Sequence, residues 1–194
     1  MRLRTRLAAL FLGLLLVPIL SMSLIALDYI VGTMIDNLSR SADLMVEQIF
    51  EEMRVALAHG KGSVADVLKQ SDSLTKLLDS TQAFGPAVVS AYIVAPDGIV
   101  IVSADAEAEG KKEPVMPPVS ELEALASRWW LFASIPRLLT ADIYTERRTV
   151  TIDNKPVAVI SVGITTALIG DRARHLLLVM LLTAALVTAL GWLV

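Results

Sequence analysis

VVSAYIVAPDGIVIVS, Val88 to Ser103, is the stretch that decides the fold class. Val88 to Val94 is a run of β-branched and aromatic side chains, which suit a pleated, half-buried surface. Ala95-Pro96-Asp97-Gly98 follows. Proline presets φ for a tight turn, and glycine at the fourth position completes it. Ile99 to Ser103 is the returning apolar run, so the stretch predicts a β-hairpin. A second hairpin is expected farther on: Thr149 to Ile152, then Asp153-Asn154-Lys155, then Val157 to Ile164. Asp and Asn accept the positive φ that such turns need.

Helices are expected before the first hairpin. Val31, Ile35, Leu38, Ala42, Met45, Ile49, Met53 and Ala56 recur at steps of three and four, the spacing of one helix face. Asp36, Arg40, Asp43, Glu47 and Glu51 fall on the opposite side. Such a stripe serves either as a dimer seam or as a face packed on the chain's own sheet. His59-Gly60-Lys61-Gly62 breaks this helix, and Ser63 to Leu78 predicts one second, shorter helix. Between the hairpins, Ala104 to Pro118 reads as a loop and Ser120 to Ala126 as a short helix with acidic residues in its first turn. The order of elements predicts an α+β domain, an antiparallel sheet with helices packed on it.

The apolar excess lies at the two ends. Hydrophobic residues make up 55% of the 194, and only 19% are charged, against about 25% in an ordinary soluble domain. Mean hydropathy is +0.63. These values exclude a disordered chain. Leu7 to Leu27 is 21 residues without a charge, and Leu176 to Val194 is 19. A bilayer core of about 30 Å needs about 20 helical residues, so both runs predict membrane spans. Pro18 is expected to kink the first, which a membrane helix tolerates. A cleaved signal peptide is the competing reading of the first run, but its apolar core would be shorter, and Ser21-Met22-Ser23 is a poor cleavage site.

Charge sets the expected topology. Arg2, Arg4 and Arg6 precede the first run, which places residues 1–6 in the cytoplasm by the positive-inside rule. Residues 28–175 then form one extracytoplasmic domain, with spans at 7–27 and 176–194 in the inner (plasma) membrane. Arg172 and Arg174 weakly oppose this orientation, but long loops translocate largely regardless of charge. The outer segment carries 14 basic and 20 acidic side chains, a net of −6. No basic stripe is left to track phosphates, so a nucleic-acid partner is excluded. Cysteine is absent, which removes disulfides, thiolate metal sites and a Cys nucleophile. The uncharged run reaching Val194 suggests the N-terminal portion of a longer protein.

With these elements in place, Ala91-Tyr92-Ile93-Val94-Ala95-Pro96-Asp97-Gly98, then Ser103-Ala104-Asp105 and Gly110-Lys111, resembles the Cache (PDC, PAS-like) extracytoplasmic sensor domains. Val157 to Ile164 looks like the last strand of that family. The resemblance covers roughly residues 35 to 170. It implies a PAS-like antiparallel sheet behind a long N-terminal helix, a small ligand such as an organic acid or amino acid on the concave sheet face, and a homodimer. It also implies a receptor whose output module lies beyond the second span: a histidine kinase first, a chemoreceptor or diguanylate cyclase otherwise.

Candidate site residues follow from cations and aromatics near the sheet: Tyr92, Lys111, Arg128, Trp129 and Arg147. An arginine fork holds a carboxylate through two parallel hydrogen bonds, and an aromatic wall adds contact area at low entropic cost. Each has a plainer reading: Tyr92 as core, the cations as solvated surface charges, and Trp129-Trp130 resting on the membrane surface. No catalytic residue, metal ligand or cofactor announces itself. His59 and His175 are the only histidines, and neither has a nucleophile near it in sequence. Asp105, Glu107, Glu109 and Glu113 form an acidic loop whose plainer reading is a solvated one. The alternative to a receptor is a complete membrane-anchored accessory protein whose outer domain binds a partner protein.

Overall fold

A computed structural model of the chain describes residues 3–60, 62–85, 87–126, 142–152 and 154–193. The first element is one unbroken helix, α1, Leu3–His59, of 57 residues. At 1.5 Å per residue it is about 85 Å long. It passes through Pro18, whose missing N–H removes one ladder bond. The Ser21 hydroxyl donates to the Pro18 carbonyl at 3.0 Å.

The expected single helix over residues 63–78 is instead two. Ser63 caps α2, Val64–Lys69, and Ser71 caps α3, Asp72–Phe84. Each serine hydroxyl accepts from the backbone N–H three residues on, Asp66 and Leu74 respectively. A serine that satisfies a fresh helix start competes with continuing the old helix. The split lets Leu68, Leu74 and Leu78 all reach the core.

The sheet follows. Strand β1, Val88–Val94, turns at Ala95–Gly98 into β2, Val100–Ser103. Gly98 sits at φ +87, a left-handed conformation that glycine adopts freely, and its N–H donates to the Ala95 carbonyl. The loop beyond β2 carries one 3-10 turn, Ala106–Ala108, and leads to α4, Val119–Ala126. Strand β3 is Ile143–Ile152 and β4 is Lys155–Thr165, with Asn154 at φ 64 in the turn. The last element is α5, Ala167–Leu193. All strand pairs are antiparallel, in the order β2-β1-β4-β3.

Strand β3 begins six residues before the expected Thr149. Arg147 and Arg148 therefore do not precede the hairpin; they are inside it, and they point to opposite faces. One face packs on α1, where Ala91, Ile93, Val102, Ile160 and Val162 meet Ile35, Ala42, Val46, Ile49 and Met53 in a single core. The α1 stripe is thus occupied by the chain's own sheet and by α5, and the fully buried member is Val46 in place of the expected Met45. Each such buried aliphatic side chain stabilises the fold by about 1.5–3 kcal/mol in transfer terms.

Among the described residues, two helices are long and apolar enough to cross a membrane, α1 and α5. Toward the chain termini their apolar residues stay outside the core: Leu14 is 73% exposed and Leu181 69%. A bare apolar surface of that extent is unfavourable in water and favourable in lipid. Nearer the sheet α1 and α5 pack together, with Leu27, Val31, Ile169 and Ala173 buried.

Candidate functional site

The sheet face turned away from α1 carries two polar rows beside the apolar pair Val94 and Val159. Register places Ser103, Tyr92, Ser161 and Arg147 in one row across all four strands. The next row is Ser90, Gly163 and Thr145. Ser161, Thr145 and Ser103 are buried, and Tyr92 is half-buried. Buried hydroxyls require partners. Thr145 Oγ1 and Ser161 Oγ share a hydrogen bond of 2.8 Å, and Ser103 Oγ accepts from the Asp105 N–H at 3.0 Å. Gly163 keeps the surface low between them: a Cβ there would meet Ser90 Oγ at 2.3 Å.

The β2–α4 loop closes one side of this face. The Thr145 N–H donates to the Pro117 carbonyl at 2.8 Å, and Pro118 bridges to Thr145. The loop delivers Glu113 to Arg147, with 2.6 Å between Oε2 and Nη2. The Glu113 side chain is only 8% exposed. Its second oxygen, Oε1, is buried with no hydrogen-bond partner among the described residues. Leaving a buried charged acceptor unsatisfied costs upwards of about 1–3 kcal/mol. Such a group calls for a donor.

The candidates from sequence separate here. Tyr92 and Arg147 come together in the polar row. Arg147 is engaged by Glu113 on one guanidinium nitrogen, and a guanidinium offers five N–H donors in all. Lys111 does not join them: its side chain is exposed, and its carbonyl accepts from Val100 N–H, at the far end of β2 from Ser103. Arg128 and Trp129 lie outside the described residues, as does the expected segment 127–139 around them. Glu113 itself was legible only as one of four loop acids. The structure gives two of the others local work: Asp105 accepts from the Glu107 N–H, and Glu109 accepts from the Ser103 N–H.

A second polar group lies on the α1 side. Arg148 pairs with Glu47 of α1 and stacks over the Phe50 ring, 4.7 Å from its centroid. Beside it, a cavity of about 330 Å³ is lined by Ser39, Arg40, Asp43, Ser120, Glu123 and Glu146. The Ser39 hydroxyl donates to Glu123. Burial, then the neighbouring charges of Asp43 and Glu123, push the Glu146 carboxyl above its ordinary range. Among the described residues no group of three or more His, Asp or Glu is placed to hold a metal ion.

No protein-family model matches the chain, and no curated protein matches its sequence.

Proposed function

We propose that this chain is the sensor and membrane portion of a transmembrane signalling receptor, with a Cache-like, PAS-like domain over residues 28–175. The N-terminus is cytoplasmic, the two spans lie in the inner membrane, and the domain faces the periplasm or the cell exterior. The output module is cytoplasmic, a histidine kinase first. The observation that carries the reading is the Glu113 Oε1 atom, buried without a donor among the described residues, beside Arg147 and a row of sheet hydroxyls. The same core that supports this face also roots both membrane-length helices.

The ligand class follows from the groups present. Glu113 Oε1 takes an ammonium or hydroxyl donor. The free edges of the Arg147 fork take a carboxylate. Tyr92 and the serine hydroxyls fix orientation. A small molecule carrying both an amine and a carboxylate answers all of them. Binding favours one sheet geometry, and α1 and α5 carry the difference across the membrane as a shift in their packing. The chain acts as a homodimer. Its seam is formed by the side of the Val31–Met53 helix not used by the sheet, where Leu44 remains 69% exposed.

The test uses the full chain in lipid nanodiscs. Thermal midpoints are recorded against a panel of amino acids and small carboxylates. The expected result is a rise for a zwitterionic member, lost in Glu113→Gln and in Arg147→Ala. A panel without any shift, or a shift that survives both substitutions, overturns the ligand reading. Labelling of a cysteine at exposed Lys111 from the cytoplasmic side only overturns the topology.

A further inference from the structure

The groove between α1 and α5 opens into two adjoining cavities beside the first turns of α5. The upper, about 290 Å³, is walled by Met34, Leu38, Val88 and Leu168. The lower, about 480 Å³, is bounded by Ile30 and Leu176, the latter at the start of the uncharged run. One residue, Arg172, lines both. We propose that the upper cavity binds a small monoanionic amphiphile, its apolar body in the cavity and its anion on Arg172.

Three observations carry this. First, the wall is apolar apart from Asn37, Ser41 and Arg172, and the first two are neutral. Arg172 is therefore its only charge among the described residues. Second, Arg172 forms no ion pair or hydrogen bond among the described residues. Asp171, which faces the lower cavity and not the upper one, lies 3.9 Å from Arg174. Third, the size suits such a ligand. About 290 Å³ lies at the lower end of the roughly 300–1,000 Å³ of small-molecule sites. That is the scale of a medium-chain or aromatic carboxylate. Apolar walls with one placed polar group are the usual make-up of a small-molecule site.

The position gives the site a consequence. Met34 and Leu38 belong to α1, and Leu168 and Arg172 to α5, so an occupant touches both membrane-entering helices at once. A ligand that fits one spacing of these helices better than another shifts their equilibrium. The site is separate from the Glu113–Arg147 face and does not rest on what binds there.

The experiment is calorimetric titration of octanoate, which has ten non-hydrogen atoms, into the full chain in phosphatidylcholine nanodiscs, with empty discs subtracted. Saturable binding is expected, one octanoate per chain. Arg172→Gln, an exposed and easily accommodated change, weakens it about ten- to a hundredfold, as loss of a charge-assisted bond requires. Leu38→Trp fills the cavity and abolishes it, with the thermal midpoint recorded to confirm folding. Neutral 1-octanol binds more weakly than octanoate and is indifferent to Arg172→Gln. Heats equal to those of empty discs overturn the site. Octanoate affinity unchanged by Arg172→Gln, or octanol bound as tightly as octanoate, overturns the role of Arg172.

Discussion

The two faces of the one sheet use the same four strands for opposite ends. Toward α1 the sheet presents Ala91, Ile93, Val102, Ile160 and Val162, and polar groups are confined to the β3 edge. Away from α1 it presents Tyr92, Ser103, Thr145, Arg147 and Ser161, three of them buried. Burying hydroxyls and a carboxylate brings no net stability over an apolar row of the same shape. Apart from its β3 edge, the first face is explained by packing alone. The second holds polar groups that packing does not require, and rules of local fit tend to be broken at functional sites.

The largest expected effect separates the faces directly. Ile160→Ala empties a fully buried position and lowers stability by about 2–5 kcal/mol. Ser161→Ala, its neighbour on the other face, removes one hydroxyl and leaves Thr145 Oγ1 without its 2.8 Å partner. That costs about 1 kcal/mol. Denaturant unfolding of the full chain in detergent checks both. Equal losses would mean that the polar face is as much a packing surface as the other.

The adjacent arginines sharpen the contrast one step down in size. Arg147→Ala strips the buried Glu113 carboxylate of its ion partner and costs about 1–3 kcal/mol. Arg148→Ala loses a pair that is nearly half exposed on both sides and a stacking contact on Phe50, about 1 kcal/mol together. A second substitution distinguishes them. Glu113→Gln in the Arg147→Ala background removes the stranded charge and restores most of the loss. Glu47→Gln in the Arg148→Ala background restores little, because Glu47 remains solvated. Four unfolding curves per pair, read as a double-mutant cycle, decide it.

How far the sequence carried this reading depends on whether a segment's pattern was one-sided. Val88–Ser103 was legible because apolar runs flank a proline–glycine turn. The long helix was legible because its stripe repeats over many turns, although a stripe alone does not say whether a sheet or a second copy covers it. Ile143–Arg148 was not legible as strand. Tyr144, Glu146 and Arg148 face α1 while Thr145 and Arg147 face the polar side, so both faces carry polar residues and the period of two disappears. The break between α2 and α3 was masked because Val67 and Leu74, seven apart, continue a helical spacing across Ser71. Of the site, Tyr92 was within reach as an aromatic on a strand and Arg147 as a cation just before the expected hairpin. Glu113 was one of four acids in a loop, and only the fold shows that it alone is buried against Arg147.

The smallest expected effect tests whether charge on the α1 face is tolerated or useful. Glu146 stands on β3 with Asp43 and Arg40 of α1 and Glu123 of α4 around the same cavity, while Arg40 is drawn to Asp36 at 3.0 Å. Burial and the two like charges raise its carboxyl above the ordinary value of 4.5. The sign follows from proton counting. Between the unfolded value and the raised folded one, the native state holds more protons than the unfolded state, so stability falls as pH rises through that window. The ionised carboxylate therefore weighs against the fold at neutral pH, and the penalty fades as pH drops toward 4.5. Glu146→Gln is expected to raise the midpoint at neutral pH and to converge with the native chain near pH 4.5. Thermal scans of both proteins across that range check the difference, with Asp36→Asn as the control, since that carboxylate is 65% exposed and paired with Arg40. A gain in Glu146→Gln that persists undiminished at pH 4.5 would assign the effect to shape and leave the carboxylate charge without a role on this face.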